Sequence, residues 1–187
     1  FKGIDTDFNI AGIDAGVEGK TISGELLINN VRISIKVSSI SGDINVTESY
    51  GTAYIESIQG DTSIIGNFED VKLRTVTGDI WADITEIDNV STNNIAGDTK
   101  LSGSLKKDAQ VKMTSVKGDL HYEASGILNA KCEVLSQFGG EIVNNLTTDL
   151  PNTSHMQQQQ LHFVSGNGLG TLVMKTINGT AIINRAL

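Results

Sequence analysis

Five aspartates, Asp43, Asp61, Asp79, Asp98 and Asp119, recur along the 187-residue chain at steps of 18, 18, 19 and 21, with Glu25 and Glu141 bracketing the series. Carboxylates at so regular a step can serve two kinds of chemistry. Gathered on one edge, they could bind a divalent cation such as calcium, which prefers clustered oxygen ligands, or act as the acid and base of glycan cleavage. Alternatively, each accepts backbone hydrogen bonds at its own turn, a structural task that suits aspartate. Neighbouring charges about 4.8 Å apart repel by roughly 0.9 kcal/mol even in bulk water, so a ladder of them needs an offset. The glycine-rich nonapeptide of calcium repeats is missing. The structural reading therefore leads, with no metal and no cofactor expected.

Other reactive groups do not converge. His121, His155 and His162 have no ligand spacing with cysteine or carboxylates. Cys132, the only cysteine, lies in the alternation Leu128, Ala130, Cys132, Val134 and reads as a small core residue rather than a nucleophile. It can form no intrachain disulfide. "GNGLG" at 166–170 is followed by the strand-like "TLVMKT", so a turn is expected there and no helix N-terminus awaits a phosphate. Trp81 should point outward in one column with Lys100 and His121, either as a sugar-stacking platform or covered by its neighbours. Lys36, Lys72 and Lys112 share a second outward column, with Lys106 and Lys107 near it. Solubility and cross-ladder pairing explain such a strip, and an anionic glycan is the functional alternative. A net charge of −8 and only three arginines, Arg32, Arg74 and Arg185, argue against nucleic acid. No residue reads as catalytic, and a non-enzymatic protein is expected.

What must position the ladder is visible in its neighbours. Each aspartate follows a glycine, and the glycines form a longer series: Gly24, Gly42, Gly60, Gly78, Gly97, Gly118, Gly140 and Gly179. Internal repetition of this kind outranks any single residue as a fold signal. Two residues before the glycine stands an apolar column of Ile22, Ile40, Ile58, Val76, Ile95, Val116, Phe138 and Ile177. Two and four residues after it the columns are again mostly apolar, beginning Leu26 and Ile28, then Ile44 and Val46. Five and seven before it stand pairs such as Val37 and Ile35, or Met113 and Val111. A period of two within each segment predicts strands with one buried face, and the Ile40, Ile58 and Val76 row is expected to stack within it. Ordering 18 backbones costs more than about five buried side chains return, so one coil alone should be unfolded. Stacked coils share their faces and ladders. The fold expected is all-β: a single-domain, right-handed β-helix or β-solenoid with roughly 18–22-residue coils. The phrase itself is the corner, where glycine lets the backbone turn and aspartate satisfies nearby amides.

The phrases "SISGDI", "SIQGDT", "TVTGDI" and "SVKGDL" resemble those of the bacterial adhesin-like family of β-strand-repeat proteins, over roughly residues 20–187. The later "GGEIVNN" and "SGNGLGTLVMKTINGTAIIN" look similar to its closing coils. The resemblance implies a right-handed β-helical rod exported to the cell envelope, and it carries over no catalytic residue.

The departures from period 18 mark the remaining features. Connecting corners lengthen at 83–89, 102–110 and about 123–132, which predicts a protruding ledge on one side of the rod. "NNLTTDLPNTSHMQQQQ" holds the only proline, Pro151, and reads as a loop excursion over 145–160, or as a segment folded over an edge. Residues 1–20 read as an N-terminal cap, with Phe1 and Phe8 covering the coil interior. No stretch approaches the roughly 18 apolar residues of a membrane span. The chain opens at Phe1 without Met or a signal-like segment, so an export signal removed upstream is expected. Together these readings describe a rod in the cell envelope (periplasmic or surface-exposed) or secreted, presenting a face to a glycan or a surface protein. A polysaccharide-processing β-helix enzyme and a scaffold assembling end to end are the alternatives.

Overall fold

Alternating small and β-branched residues, punctuated by glycine, form strands throughout. The computed structural model describes residues 1–154 and 158–186, and every regular element among them is a β-strand. In chain order these are β1 (Lys2–Asp5), β2 (Phe8–Ile13), β3 (Gly16–Ser23), β4 (Leu26–Ser41), β5 (Ile44–Gln59), β6 (Thr62–Thr77), β7 (Ile80–Ala96) and β8 (Thr99–Lys117). There follow β9 (Leu120–Ala124), β10 (Ala130–Ser136), β11 (Ile142–Asn144), β12 (Asn152–Thr153), β13 (Gln159–Ser165), β14 (Gly170–Asn178) and β15 (Ala181–Arg185). Long strands such as β4 to β8 each wrap most of a coil and pair in parallel with the next, so that Val37, Ile55, Leu73, Thr92 and Met113 share one register. Leu26, Ile44, Thr62, Ile80, Thr99 and Leu120 share another. Both rows are buried. The chain is a β-solenoid whose coils lie about 18 residues apart.

The coils do not stack in sequence order at the C-terminal end. β14 pairs in parallel with β8 on one side and β10 on the other, while β15 lies between β9 and β11. The last segment of the chain is thus wedged between two coils that precede it, and the glycine order becomes Gly118, Gly179, Gly140. Beyond β10, β13 pairs antiparallel over Ala130–Ser136, and β12 pairs antiparallel with β13. The described part of 145–160 is therefore not a simple excursion, since Asn152 and Thr153 meet Gln160 and Gln159. An open edge leaves a row of backbone donors and acceptors unmet, and the returning strand covers it. His155 lies outside the described residues.

Three further expectations change. Residues 1–20 contribute β1, β2 and β3, which join the parallel stack in register as a first coil, with Phe1 and Phe8 in tilted contact at 4.2 Å between ring centroids. The long corners at 83–89 and 102–110 stay within β7 and β8 as register shifts between Asp83 and Glu86 and between Ile87 and Asn89, rather than forming a ledge. Ile84, Ile87 and Ala109 from these corners are fully buried, whereas Lys107 and Asp108 stay exposed. Only the third long corner leaves the strands, at 125–129. The row of Ile40, Ile58 and Val76 stacks as expected but stands on the outer face, 40–48% exposed.

Candidate binding face

The corner sets the geometry. Gly78 has φ of +133°, a conformation open to glycine and strained for other residues, and a Cβ there would lie 2.2 Å from the carbonyl oxygen of Gly60. The same close approach recurs from Gly42 to Gly118 and at Gly179 and Gly140. Beyond the glycine, the next amide points along the rod. The Asp61 N–H donates to Asp43 Oδ1, the Asp79 N–H to Asp61 Oδ1, the Asp98 N–H to Asp79 Oδ1 and the Asp119 N–H to Asp98 Oδ1, each at 2.8 Å. The Thr180 N–H completes the series on Asp119 Oδ1 at 2.7 Å. Each carboxylate therefore serves the coil above rather than its own turn. The reason is local: the turn takes this amide out of the backbone ladder, which resumes one residue later with the Ile44 N–H on the Asp61 carbonyl at 2.9 Å. Charge-assisted acceptance by a carboxylate offsets the repulsion between rungs.

Replacing Asp79 by alanine leaves the Asp98 N–H without its acceptor and should cost about 1–2 kcal/mol in urea unfolding. Asp79→Asn keeps an oxygen acceptor and removes one charge, so it should fall within about 0.5 kcal/mol of the parent. Equal losses in both variants would show that charge, not the hydrogen bond, is what the ladder needs.

On the strand leading into each corner, the inward position three before the glycine is polar: Thr21, Ser39, Ser57, Thr75, Asn94, Ser115 and Thr176 are all buried. Two of these side chains bind corner carbonyls, Asn94 Nδ2 on Gly78 O at 2.9 Å and Thr176 Oγ1 on Gly118 O at 3.2 Å, whereas the hydroxyls of Ser39, Ser57, Thr75 and Ser115 have no hydrogen-bond partner among the described residues. The next residue must then point outward. Hence Ile22, Ile40, Ile58, Val76, Ile95, Val116 and Ile177 form an exposed aliphatic stripe, continued by Ile4 in β1. Ile4 to Ile95 floor a trough of about 940 Å³ whose wall includes Lys2, Lys20, Glu56 and Arg74. Phe138, grouped with this row by its spacing from Gly140, sits instead in a turn with φ of +52°, because Ser136 is in register with Thr176 and Gln137, not Phe138, follows it beside Ile177.

The other candidate residues are spread over the rod. Trp81 is 56% exposed in one column with Lys100 and His121, with the Lys100 ammonium 5.9 Å from its ring centroid. Lys100 also pairs with Glu123 at 2.9 Å. Lys36 and Lys72 are separated in their column by Tyr54, and Lys72 and Lys112 by Ser91. Lys36 pairs with Glu18 at 3.3 Å and Lys72 with Asp70 at 3.8 Å. Gly166–Gly170 is the turn from β13 into β14. His162 Nε2 lies 2.7 Å from Gln160 Nε2, and the Lys175 ammonium beside Glu133, at 2.7 Å, holds that carboxyl below its ordinary range. Tyr122 is buried with its hydroxyl donating to Gly103 O at 3.1 Å, and burial pushes its pKa up.

Cys132 is buried between Leu172 and Phe163, and burial pushes its thiol up to about 12. At pH 8 only about one thiol in ten thousand is then thiolate. An aromatic disulfide reagent should label native protein at least about a hundredfold more slowly than urea-unfolded protein. Equal rates would mean that the β10–β13 end of the rod opens freely.

Among the described residues no helix is long and apolar enough to cross a membrane, and no group of three or more His, Cys, Asp or Glu side chains is placed to hold a metal ion. Neither a curated protein nor a solved structure matches the chain. The stacked corners and coils of residues 6–134 do match a family of β-repeat proteins, over more than half the sequence, and on that match the chain belongs to the Toastrack DUF4097 family.

Proposed function

We propose that this protein is a non-enzymatic rod of the cell envelope, adhesin-like in role, whose aliphatic trough binds a protein surface. One observation carries the reading: seven neighbouring coils each spend a β-branched side chain on solvent along one line, on a scaffold otherwise efficient at burying them. An exposed apolar patch with polar rims marks an interaction site. The carboxylate ladder, the best source of acid–base groups, is committed to backbone amides, which supports a non-catalytic role. An aliphatic floor suits a protein partner better than a sugar, because sugars stack on aromatic faces. A glycan is the second reading, carried by exposed Trp81.

The test uses the immobilised intact chain, its Ile40→Asp/Ile58→Asp variant and its Trp81→Ala variant, each challenged with envelope proteins and a glycan array. The expected result is protein retention by the parent and the Trp81 variant, lost in the double aspartate variant. Glycan retention lost with Trp81→Ala would favour the second reading. Release of reducing sugars from a polysaccharide panel would overturn the non-enzymatic reading.

A further inference from the structure

The stripe has neighbours of opposite charge on its two sides. Towards the corner runs the exposed acidic ladder, from Glu25 through Asp98. On the other side, two or four residues before the stripe along each strand, stand Lys2, Lys20, Lys36, Lys72, Arg74, Lys112 and Lys175, which outnumber the carboxylates Glu18 and Glu56 in the same columns. Some of these have local partners, as Arg74 has Glu56 at 3.5 Å, but Lys2, Lys20 and Lys112 form no ion pair among the described residues. The outer face is therefore a lengthwise sandwich of acid, aliphatic and base.

Resting on the proposal that the trough is a protein-binding face, we infer that its partner is a second copy of this chain, packed side by side with both rods running in the same direction. Two features select that occupant. First, the side chains of the stripe repeat at the inter-coil spacing of about 4.8 Å, and a face with the same repeat meets it side chain for side chain along its whole length. A second copy supplies one. Second, symmetry decides the direction. A two-fold axis parallel to the rods lays the acidic side of each copy over the basic side of the other. An axis across the rods would lay ladder over ladder, which like charges oppose. From Ile4 to Ile177 the stripe spans seven inter-coil steps, about 34 Å. With a flanking column on each side it is about 20 Å wide, close to the roughly 800 Å² per partner of a stable complex.

Sedimentation of the intact chain from 1 to about 200 µM should show a dimer whose dissociation constant rises with salt. Ile58→Asp should weaken it at least about a hundredfold, and Lys20→Glu/Lys112→Glu about tenfold, with melting of the dilute monomer unchanged because these side chains lie outside the core. Direction is read by oxidative cross-linking in a Cys132→Ala background. Ile22→Cys should cross-link to itself in the same-direction dimer. Cross-linking only when Ile22→Cys is mixed with Val116→Cys would overturn the arrangement. A monomer at every concentration, or a dimer indifferent to Ile58→Asp, would overturn the inference. A monomer whose envelope-protein retention is lost in Ile40→Asp/Ile58→Asp would sink self-association and leave the proposed function standing. A stripe-dependent dimer with unaltered retention would do the reverse.

Discussion

A chain ending at Gly168 loses its cooperative fold beyond β8, although it lacks only the last 19 of 187 residues. The missing segment is not the end of the rod. It is the coil on which β10 and β11 rest, and it buries Leu172, Met174 and Ile183 completely. Those three side chains alone are worth about 5–9 kcal/mol of burial, comparable with the whole stability of an ordinary domain. Without them, β8 and β9 end in an open edge and the 130–165 segment has no platform. Hydrogen exchange should show amides of β10 and β13 unprotected while those of β4 to β7 remain slow, as expected where each coil depends on its immediate neighbours. Removing residues 1–13 is the contrasting experiment, because Phe8, Ile10 and Ile13 are only partly buried at the opposite end. That loss should lower the melting temperature modestly and leave the rest protected. Equal damage from both truncations would contradict the wedged position of β14 and β15.

Gly78→Ala should cost about 4 kcal/mol or more in urea unfolding, a size reserved for a few mechanisms. Two penalties combine there. The backbone sits at φ of +133°, and the added carbon would meet the Gly60 carbonyl carbon at 2.7 Å as well as its oxygen at 2.2 Å. The coils cannot move apart to relieve the clash, since the ladders on both sides of the corner hold the rise. Gly126→Ala isolates the first penalty. Gly126 has φ of +104° but nothing within 4 Å of its Cβ direction, so the cost should stay near 1–2 kcal/mol. Similar losses at the two sites would mean that the corner glycines are needed for torsion alone and not for close approach.

The corner and its period are legible in the sequence because every coil repeats them. The columns two and four after the glycine, and five and seven before it, are buried largely as their alternation predicts. The column two before the glycine misleads because it is apolar without exception, yet its position carries the opposite parity. Counting by twos from the buried Ile35 and Val37, the next inward residue is Ser39, which leaves Ile40 outside. Two coils on, Val71 and Leu73 lead in the same way to Thr75 and not to Val76. Parity, not hydrophobicity, decides the side on which a strand residue falls. The swap of stacking order at the C-terminal end has no counterpart in local spacing. Gly140 and Gly179 carry the same corner signal, and only the long-range pairing of β14 with β8 decides which of them sits next to Gly118. The ladder is legible as a set of carboxylates, whereas its direction is not, because the donor to each aspartate lies a whole coil away.

The corner also makes the rod a ruler. Each additional Gly-Asp phrase of 18 residues would lengthen the molecule by one fixed increment, and would bring with it one more acceptor, one more amide to fill the acceptor below, and one more outward aliphatic. The reach of the outer face can therefore change only in whole increments, with its chemistry per unit length held constant. Chains of this repeat with different coil numbers should differ in how far they extend, and not in the chemistry each coil presents.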